Sequence, residues 1–204
     1  DVNKNIIHSK GPADILDHAA GNYAYHGKTG IDASCETVAA KGEVVIEKEK
    51  ILSEFSFIKH VNDTLPGENI SMVIIFIEKN KSGQIRDCAD TLLAGNMVQG
   101  VKSLVFMDSQ AASLDLGDIA WLALNNIDPA RDVFVNNAVL VVDATRKTPD
   151  FDGFDRHWPN VIVSDDDTIR TVDEKWLTLG LGEFIESPSK KYKKLLWPGG
   201  AKAD

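Results

Sequence analysis

Residues 70–108 read "ISMVIIFIEKNKSGQIRDCADTLLAGNMVQGVKSLVFMD", and the reading of this stretch decides the fold. It begins with a near-continuous apolar run rich in β-branched residues and bounded by turn formers, the pattern of a strand buried on both faces. Ile85, Cys88, Ala89, Leu92 and Leu93 then recur at helical spacing, which predicts an amphipathic helix closing on Gly100. "VKSLVFMD" (101–108) is a second buried strand. The segment between the two runs is long enough for a crossover helix, so residues 70–78 and 102–107 are expected to be neighbouring parallel strands.

The alternation continues on both sides. Upstream, "KGEVVIEKEK" (41–50) reads as a charged connector, and "KEKILSEFSFIKHV" (48–61) as one helix carrying Ile51, Leu52, Phe55, Ile58 and Lys59. "TLPGEN" (64–69) breaks the chain. Downstream, "SLDLGDIAWLALNNI" (113–127) is an amphipathic helix with Asp115 or Ser113 as its cap. "DVFVNNAVLVVDA" (132–144) supplies one or two strands and "NVIVS" (160–164) a short further one. "DDDTIRTVDEKWLTLGLG" (165–182) and "SPSKKYKKLLW" (187–197) read as closing helices. Strands alternating with helices predict an α/β fold, a three-layer α/β/α sandwich around a parallel or mixed sheet.

The bulk numbers remove several function classes. The 204 residues are 43% hydrophobic and 26% charged, enough to bury a substantial core. A formal charge of −9 argues against nucleic acid, whose phosphates require Lys and Arg. "KKYKK" (190–194) is the only dense basic run and reads as the solvated face of a terminal helix, with Tyr192, Leu195 and Leu196 as its apolar contacts. No apolar stretch approaches the ~20 residues of a membrane-spanning helix. Cys35 and Cys88 lie far apart without metal-ligand spacing, and Cys88 reads as a small core hydrophobe; this usage fits a cytoplasmic protein. The polar start without Met reads as a piece of something longer.

No string spells a nucleophile elbow, a zinc site or a phosphate loop. Asp17 and His18 are adjacent and so point apart on a helical turn. Asp155, Arg156 and His157 read as loop polar residues, and "SDDDT" (164–168) as a helix cap rather than a cation site. In "NNIDPARDV" (125–133), Pro129 ends the preceding helix, while Arg131 and Asp132 can pair or cap in the turn. Residues 11–33, "GPADILDHAAGNYAYHGKTGIDA", read as a loop with one helical turn at "ADILDHAA" and then glycine-punctuated coil. Ile15, Leu16, Tyr23, Tyr25 and Ile31 make this stretch too apolar for a free leader, so it is expected to pack against the α/β unit or a neighbouring chain.

Taken together these strings resemble the C-terminal domain of the UbiD family, the 3-polyprenyl-4-hydroxybenzoate decarboxylases and their relatives. The resemblance rests on "KSLVFMDSQAASLDLGDIAWLALNNIDPARDV" (102–133), on "VVDATRKTP" (141–149), and on "HWPNVIVSDDDTIRTVDEKW" (157–176). "GPADILDHAA" and "GKTGIDA" within residues 11–33 resemble a further family element, which in the family follows "DPARD" in a single copy. Here it stands before the α/β unit and its "GIDA" is echoed by "VVDA" inside it, so the resemblance implies a tandem duplication. Residues 1–40 are then the tail of a preceding copy, and about 48–204 a second, trimmed copy, as in the long menaquinone-pathway members.

The resemblance also implies a function. The full-length parent would be a carboxy-lyase that removes CO₂ from an aromatic or α,β-unsaturated acid such as a quinone precursor. It would use prenylated flavin mononucleotide with a divalent metal and potassium. The acid–base and metal residues belong to a central domain, so no catalytic, cofactor-binding or metal residue and no bound cofactor is expected here. The motif residues carried over by resemblance are Asp17, His18, Lys28, Asp32, Asp128, Arg131, Asp143, Arg146 and Lys147. The family domain can offer a Lys toward the flavin phosphate just before the strand that here starts at Ser103. The corresponding "LLAGNMVQGV" (92–101) has none, and the acidic cluster after the strand has thinned to "MDSQAA" (107–112). Both departures imply a non-catalytic assembly domain whose partners are the rest of its own chain and further copies, a homo-oligomer. The alternative is a free-standing, flavodoxin-like small-molecule or regulatory binding module.

Overall fold

The helix between the two predicted strands does bring them together as parallel neighbours. The structure, a computed structural model, describes residues 6–12, 17–31 and 43–200. They divide into two compact units, Asp1–Arg156 and His157–Asp204.

The first unit opens with strands β1 (Ile6–Pro12) and β2 (Tyr25–Ile31), followed by β3 (Val45–Ile46) and helix α1 (Lys48–Glu54). Next come β4 (Ile58–Asn62), the single turn α2 (Thr64–Gly67), β5 (Met72–Ile77) and α3 (Gln84–Ala94). Strands β6 (Val98–Gln99) and β7 (Ser103–Asp108) precede α4 (Leu116–Asn125) and the single turn α5 (Pro129–Asp132). The unit closes with β8 (Val133–Asn136), β9 (Val139–Asp143) and the turn α6 (Pro149–Asp152). Its main sheet runs β4-β5-β7-β9-β8, with β5, β7 and β9 parallel and an antiparallel strand at each edge. Met72 pairs with Ser103 and Ile77 with Asp108, which places the two apolar runs in register.

Alternation along these strands fills two faces. Val73, Ile75, Ile77, Leu104, Phe106 and Val141 join Ile51 of α1 and Ile85, Cys88, Ala89 and Leu92 of α3 in one buried cluster. Ile74, Phe76, Val105 and Met107 are buried on the opposite face, where the 3-10 turn Ser109–Ser113 meets β4, β5 and β7. Cys88 packs as the small hydrophobe expected, and its burial, with Asp87 nearby, pushes the thiol up to about 12.

Several sequence expectations need correction. The 48–61 segment is a helix only to Glu54; from Ile58 it is an edge strand, because the open edge of β5 offers a ladder that local periodicity cannot reveal. The 41–50 connector contains β3, which pairs antiparallel with β6. Helix α3 stops at Ala94 rather than Gly100, and "NVIVS" forms no strand. Residues 6–12 and 25–31 form an antiparallel pair where coil was expected. "DVFVNNAVLVVDA" makes two strands, turning through Asn137 and Ala138 at φ 47° and 62°. Both central residues of such a tight turn need positive φ, which Asn accepts more readily than Ala.

The second unit carries α7 (Asp166–Lys175) and the single turn α8 (Ser189–Tyr192), each followed by a 3-10 turn, so the last predicted helix is shorter than expected. Asp165 caps α7 by accepting from the Thr168 amide at 2.7 Å, as the Asp run predicted. Among the described residues no helix is long and apolar enough to cross a membrane.

Candidate functional site

Parallel strands end together, and the residues just past their carboxyl ends converge. Lys79 follows β5, Asp108 ends β7 and Asp143 ends β9; α5 and α6 approach the same edge. Charged residues placed here cannot all reach water, so they must satisfy one another.

Lys147 is the deepest of them, 1% exposed. Its ammonium donates to the backbone oxygens of Thr145 at 2.6 Å and Asp143 at 3.0 Å. It also lies 3.4 Å from Asp143 Oδ1 and 3.6 Å from Asp132 Oδ2. Lys79 donates to both oxygens of Asp152 at 2.8 and 3.0 Å and to the Arg146 carbonyl at 2.9 Å. Burial works against an ionised Asp143, but the Lys147 and Lys79 ammoniums and the Thr145 hydrogen bonds outweigh it and hold its carboxyl below the ordinary range. A carboxyl depressed on folding contributes stability above its unfolded pKa of about 3.9 and loses it as pH falls toward the folded value.

The "DPARD" turn is tied in twice. Asp132 takes the Arg131 side chain at 2.6 Å on each oxygen and accepts from the Asp128 amide at 2.8 Å. Burial disfavours the charged Arg131, but the hydrogen bonds and charge of Asp132 reverse this and raise its pKa. Asp128, 4% exposed, caps α5 through Ala130 and turns its remaining capacity outward. Its Oδ1 accepts from Gly27 at 2.8 Å and its Oδ2 from Gly21 at 3.2 Å, residues 101 and 107 positions away. The early segment is therefore docked on the α/β unit as expected, but through backbone amides: Tyr23 and Tyr25, two of the apolar residues expected to drive the docking, are exposed, and Ile15 and Leu16 lie outside the described residues. Arg156 reinforces it by donating to the carbonyls of Ala20 and His18.

The motif residues thus separate into groups. Asp128, Arg131, Asp143 and Lys147 meet at the strand ends, and Arg146 joins them by pairing with Asp108 at 3.2 Å. Asp17 pairs with His26 at 3.3 Å. Burial lowers the His18 pKa, and Arg156 adds to that, against the opposing pull of Asp17 and an Asn126 hydrogen bond. Lys28 is exposed on β2, next to the Gly27 that Asp128 holds, and Asp32 lies outside the described residues. Sequence reasoning missed Lys79, Gln84, Asp108 and Asp152. The available signal was position: polar residues immediately beyond buried parallel strands occupy the edge where such sheets hold ligands.

The strand-end cluster borders a pocket of about 140 Å³. That is below the ~300–1,000 Å³ of sites that enclose a drug-sized molecule, so a flavin ring system does not fit inside it. A larger depression of about 720 Å³ near β3 and α2 is lined by Glu43 and Asp63 and by no basic residue, a poor match for a flavin phosphate. Among the described residues no group of three or more His, Cys, Asp and Glu is placed to hold a metal ion.

The docked segment yields two expectations. A Cβ on Gly27 would lie 2.3 Å from the Ala130 amide nitrogen and 2.7 Å from Asp128 Oδ1, whereas one on Gly21 meets Asp128 at an ordinary 3.5 Å. Overpacking of this kind costs about 1–3 kcal/mol. Gly27→Ala should therefore raise limited proteolysis within 17–31 by roughly 5- to 150-fold, with Gly21→Ala near the parent rate. The lowered His18 pKa means the unfolded segment binds more protons below 6.5, so docking weakens as pH falls through 6.5 toward the folded value. Hydrogen exchange at Gly21 and Gly27, corrected for intrinsic rates, should show less protection at about pH 5.5 than at about pH 7.5.

Comparison with known proteins supplies the wider context. Residues 45–153 match the sequence model of the 3-octaprenyl-4-hydroxybenzoate carboxy-lyase C-terminal domain. An uncharacterized protein of Archaeoglobus fulgidus is 28% identical over 133 residues, 57% of this chain and 27% of that protein. An uncharacterized protein of Helicobacter pylori is 27% identical over 195 residues, 93% of this chain and 30% of that protein. The chain thus spans about 30% or less of the length of these relatives. Among solved structures, the UbiD-class enzyme HmfF from Pelotomaculum thermopropionicum with prFMN is 23% identical at a TM-score of 0.45, covering 62% of this chain and 28% of that one. Sedimentibacter hydroxybenzoicus vanillic acid decarboxylase in its closed form is 16% identical at a TM-score of 0.47, covering 65% and 30%.

Proposed function

The chain belongs to the UbiD carboxy-lyase family through its C-terminal domain, and from that premise we propose that it is the non-catalytic assembly domain of a prenylated-flavin-dependent decarboxylase. The parent removes CO₂ from an aromatic or α,β-unsaturated acid, with a quinone precursor as the substrate class. The flavin, with its divalent metal and potassium, supplies the electron sink for that chemistry from a part of the parent outside these residues.

One observation carries the reading: the motif carboxylates are already engaged within the chain. Asp132 and Asp143 are held by Arg131, Lys147 and Lys79, and Asp128 by three backbone amides. Groups so engaged position backbone, and Asp128, Asp132 and Asp143 have no open oxygen arranged to transfer a proton to a substrate. We read residues 1–40 as the end of one domain copy and 48–204 as the next, on the strength of "GIDA" in the first part and its echo "VVDA" in the second. A domain of this kind contributes to a cytoplasmic homo-oligomer by packing against its own chain and its copies.

The test uses the full-length parent loaded with flavin. Asp128→Asn and Arg146→Gln should lower thermal stability while kcat/KM per folded protein stays within about threefold. A loss of about 100-fold or more at unchanged Tm, the size of a missing general acid or base, would place these residues in the chemistry instead.

A further inference from the structure

We propose that the pocket over the amino end of α3 binds a phosphate group, with the first-turn amides of α3, Gln84 Nε2, Arg131 Nη1 and the Arg86 guanidinium as its donors. The first four amides of a helix have no partner inside it. In α3 the Asp87 amide is closed onto the Gly83 carbonyl at 3.1 Å, and Gly83, left-handed at φ 70°, has no side chain with which to cap the rest. The amides of Gln84, Ile85 and Arg86 have no acceptor inside the helix, and residues 83–86 line the pocket at the positive end of this eleven-residue helix.

Three side chains point to the ligand independently of the helix. Gln84 is 2% exposed, and its Oε1 accepts from the amides of Asn80 at 2.8 Å and Lys81 at 3.3 Å. Those bonds fix which end of the side-chain amide is oxygen, and they leave the buried Nε2 donor without a partner. A native protein rarely strands such a group. Arg131 spends Nε and Nη2 on Asp132, while its Nη1 is buried and unpaired on the same pocket. Arg86 stacks over the Phe134 ring at 4.0 Å and has no ion pair among the described residues.

The balance of charge selects the ligand. Five basic and three acidic side chains line the pocket, in a chain whose overall charge is −9. The acids are already engaged by Lys147, Lys79 and Arg131. Two guanidinium groups beside a helix amino end favour a tetrahedral dianion. At about 140 Å³ the pocket is well below the ~300–1,000 Å³ of sites that enclose drug-sized molecules and suits a group the size of a phosphate. The group is either inorganic phosphate or the phosphate of an ester whose body stays outside.

The experiment titrates the 204-residue chain with inorganic phosphate, and separately with glycerol phosphate, following ¹⁵N shifts against sodium chloride at matched ionic strength. Saturable shifts of the Gln84 side-chain amide and the 84–86 backbone amides, absent with chloride, are expected with one or both. Inorganic phosphate binding the more tightly identifies the free ion as the source, and the ester binding the more tightly identifies an ester. Gln84→Glu keeps the acceptor needed by Asn80 and Lys81 but removes the donor, and it should weaken binding by roughly tenfold or more. Arg86→Ala, on the exposed side of the helix, should weaken it comparably, with a melting temperature lowered by no more than a few degrees for the lost Phe134 contact. Shifts that never saturate with either ligand, shifts equalled by chloride, or both variants binding as tightly as the parent would overturn the proposal.

Discussion

A buried ammonium must be surrounded by oxygen, and Lys147 is where this structure meets that demand. An isolated charge taken out of water costs many kcal/mol, so a lysine 1% exposed exists only because two carbonyls and two carboxylates converge on it. Those four oxygens come from the end of β9 and from α5. The constraint therefore fixes where the "DPARD" turn sits relative to the sheet. With α5 fixed, Asp128 faces outward and gathers the amides of Gly21 and Gly27, and the early hairpin follows. A single buried cation thus organises elements from three distant parts of the chain.

The same strand ends explain why one edge is polar while the sheet on either side of it is apolar. The strands β5, β7 and β9 stop together, and each delivers a charged residue at or just past its last pairing. Lys79, Asp108 and Asp143 are then cross-linked through Asp152, Arg146 and Lys147. Cations exceed anions around the pocket, and internal pairing leaves the Arg86 guanidinium, the Nη1 of Arg131 and the end of α3 unmatched. Carboxylates engaged inside the fold and donors left open beside it are two sides of one charge arrangement.

The central sheet was legible because its strands are buried on both faces, and consecutive apolar residues such as 72–77 have few other readings. Helix α3 was legible from Ile85, Cys88, Ala89 and Leu92. Strand β4 was not: Ile51, Phe55 and Ile58 satisfy a helical period, and only the unpaired edge of β5 decides against it. The hairpin was hidden because its glycine-rich strands carry little local propensity and are held by Asp128, more than a hundred residues away. Of the site, the motif residues Asp128, Arg131, Asp143 and Lys147 were named by resemblance to a family, yet their mutual ties depend on folding. Gln84 was invisible for a related reason: a glutamine in an amphipathic helix reads as solvent-facing until the chain places it against Asn80 and Lys81.

The most direct test of the organising role of Lys147 is a thermodynamic cycle in urea, comparing Lys147→Met, Asp143→Asn and the double variant. Lys147→Met should cost about 3–5 kcal/mol, because it removes the buried ammonium that Asp132 and Asp143 share and leaves Asp132 to Arg131 alone and Asp143 to Lys79 at 4.0 Å. Adding Asp143→Asn should return part of that loss, giving a coupling of about 1–3 kcal/mol. A Lys147→Met variant as stable as the parent, or two costs that simply add, would contradict the account.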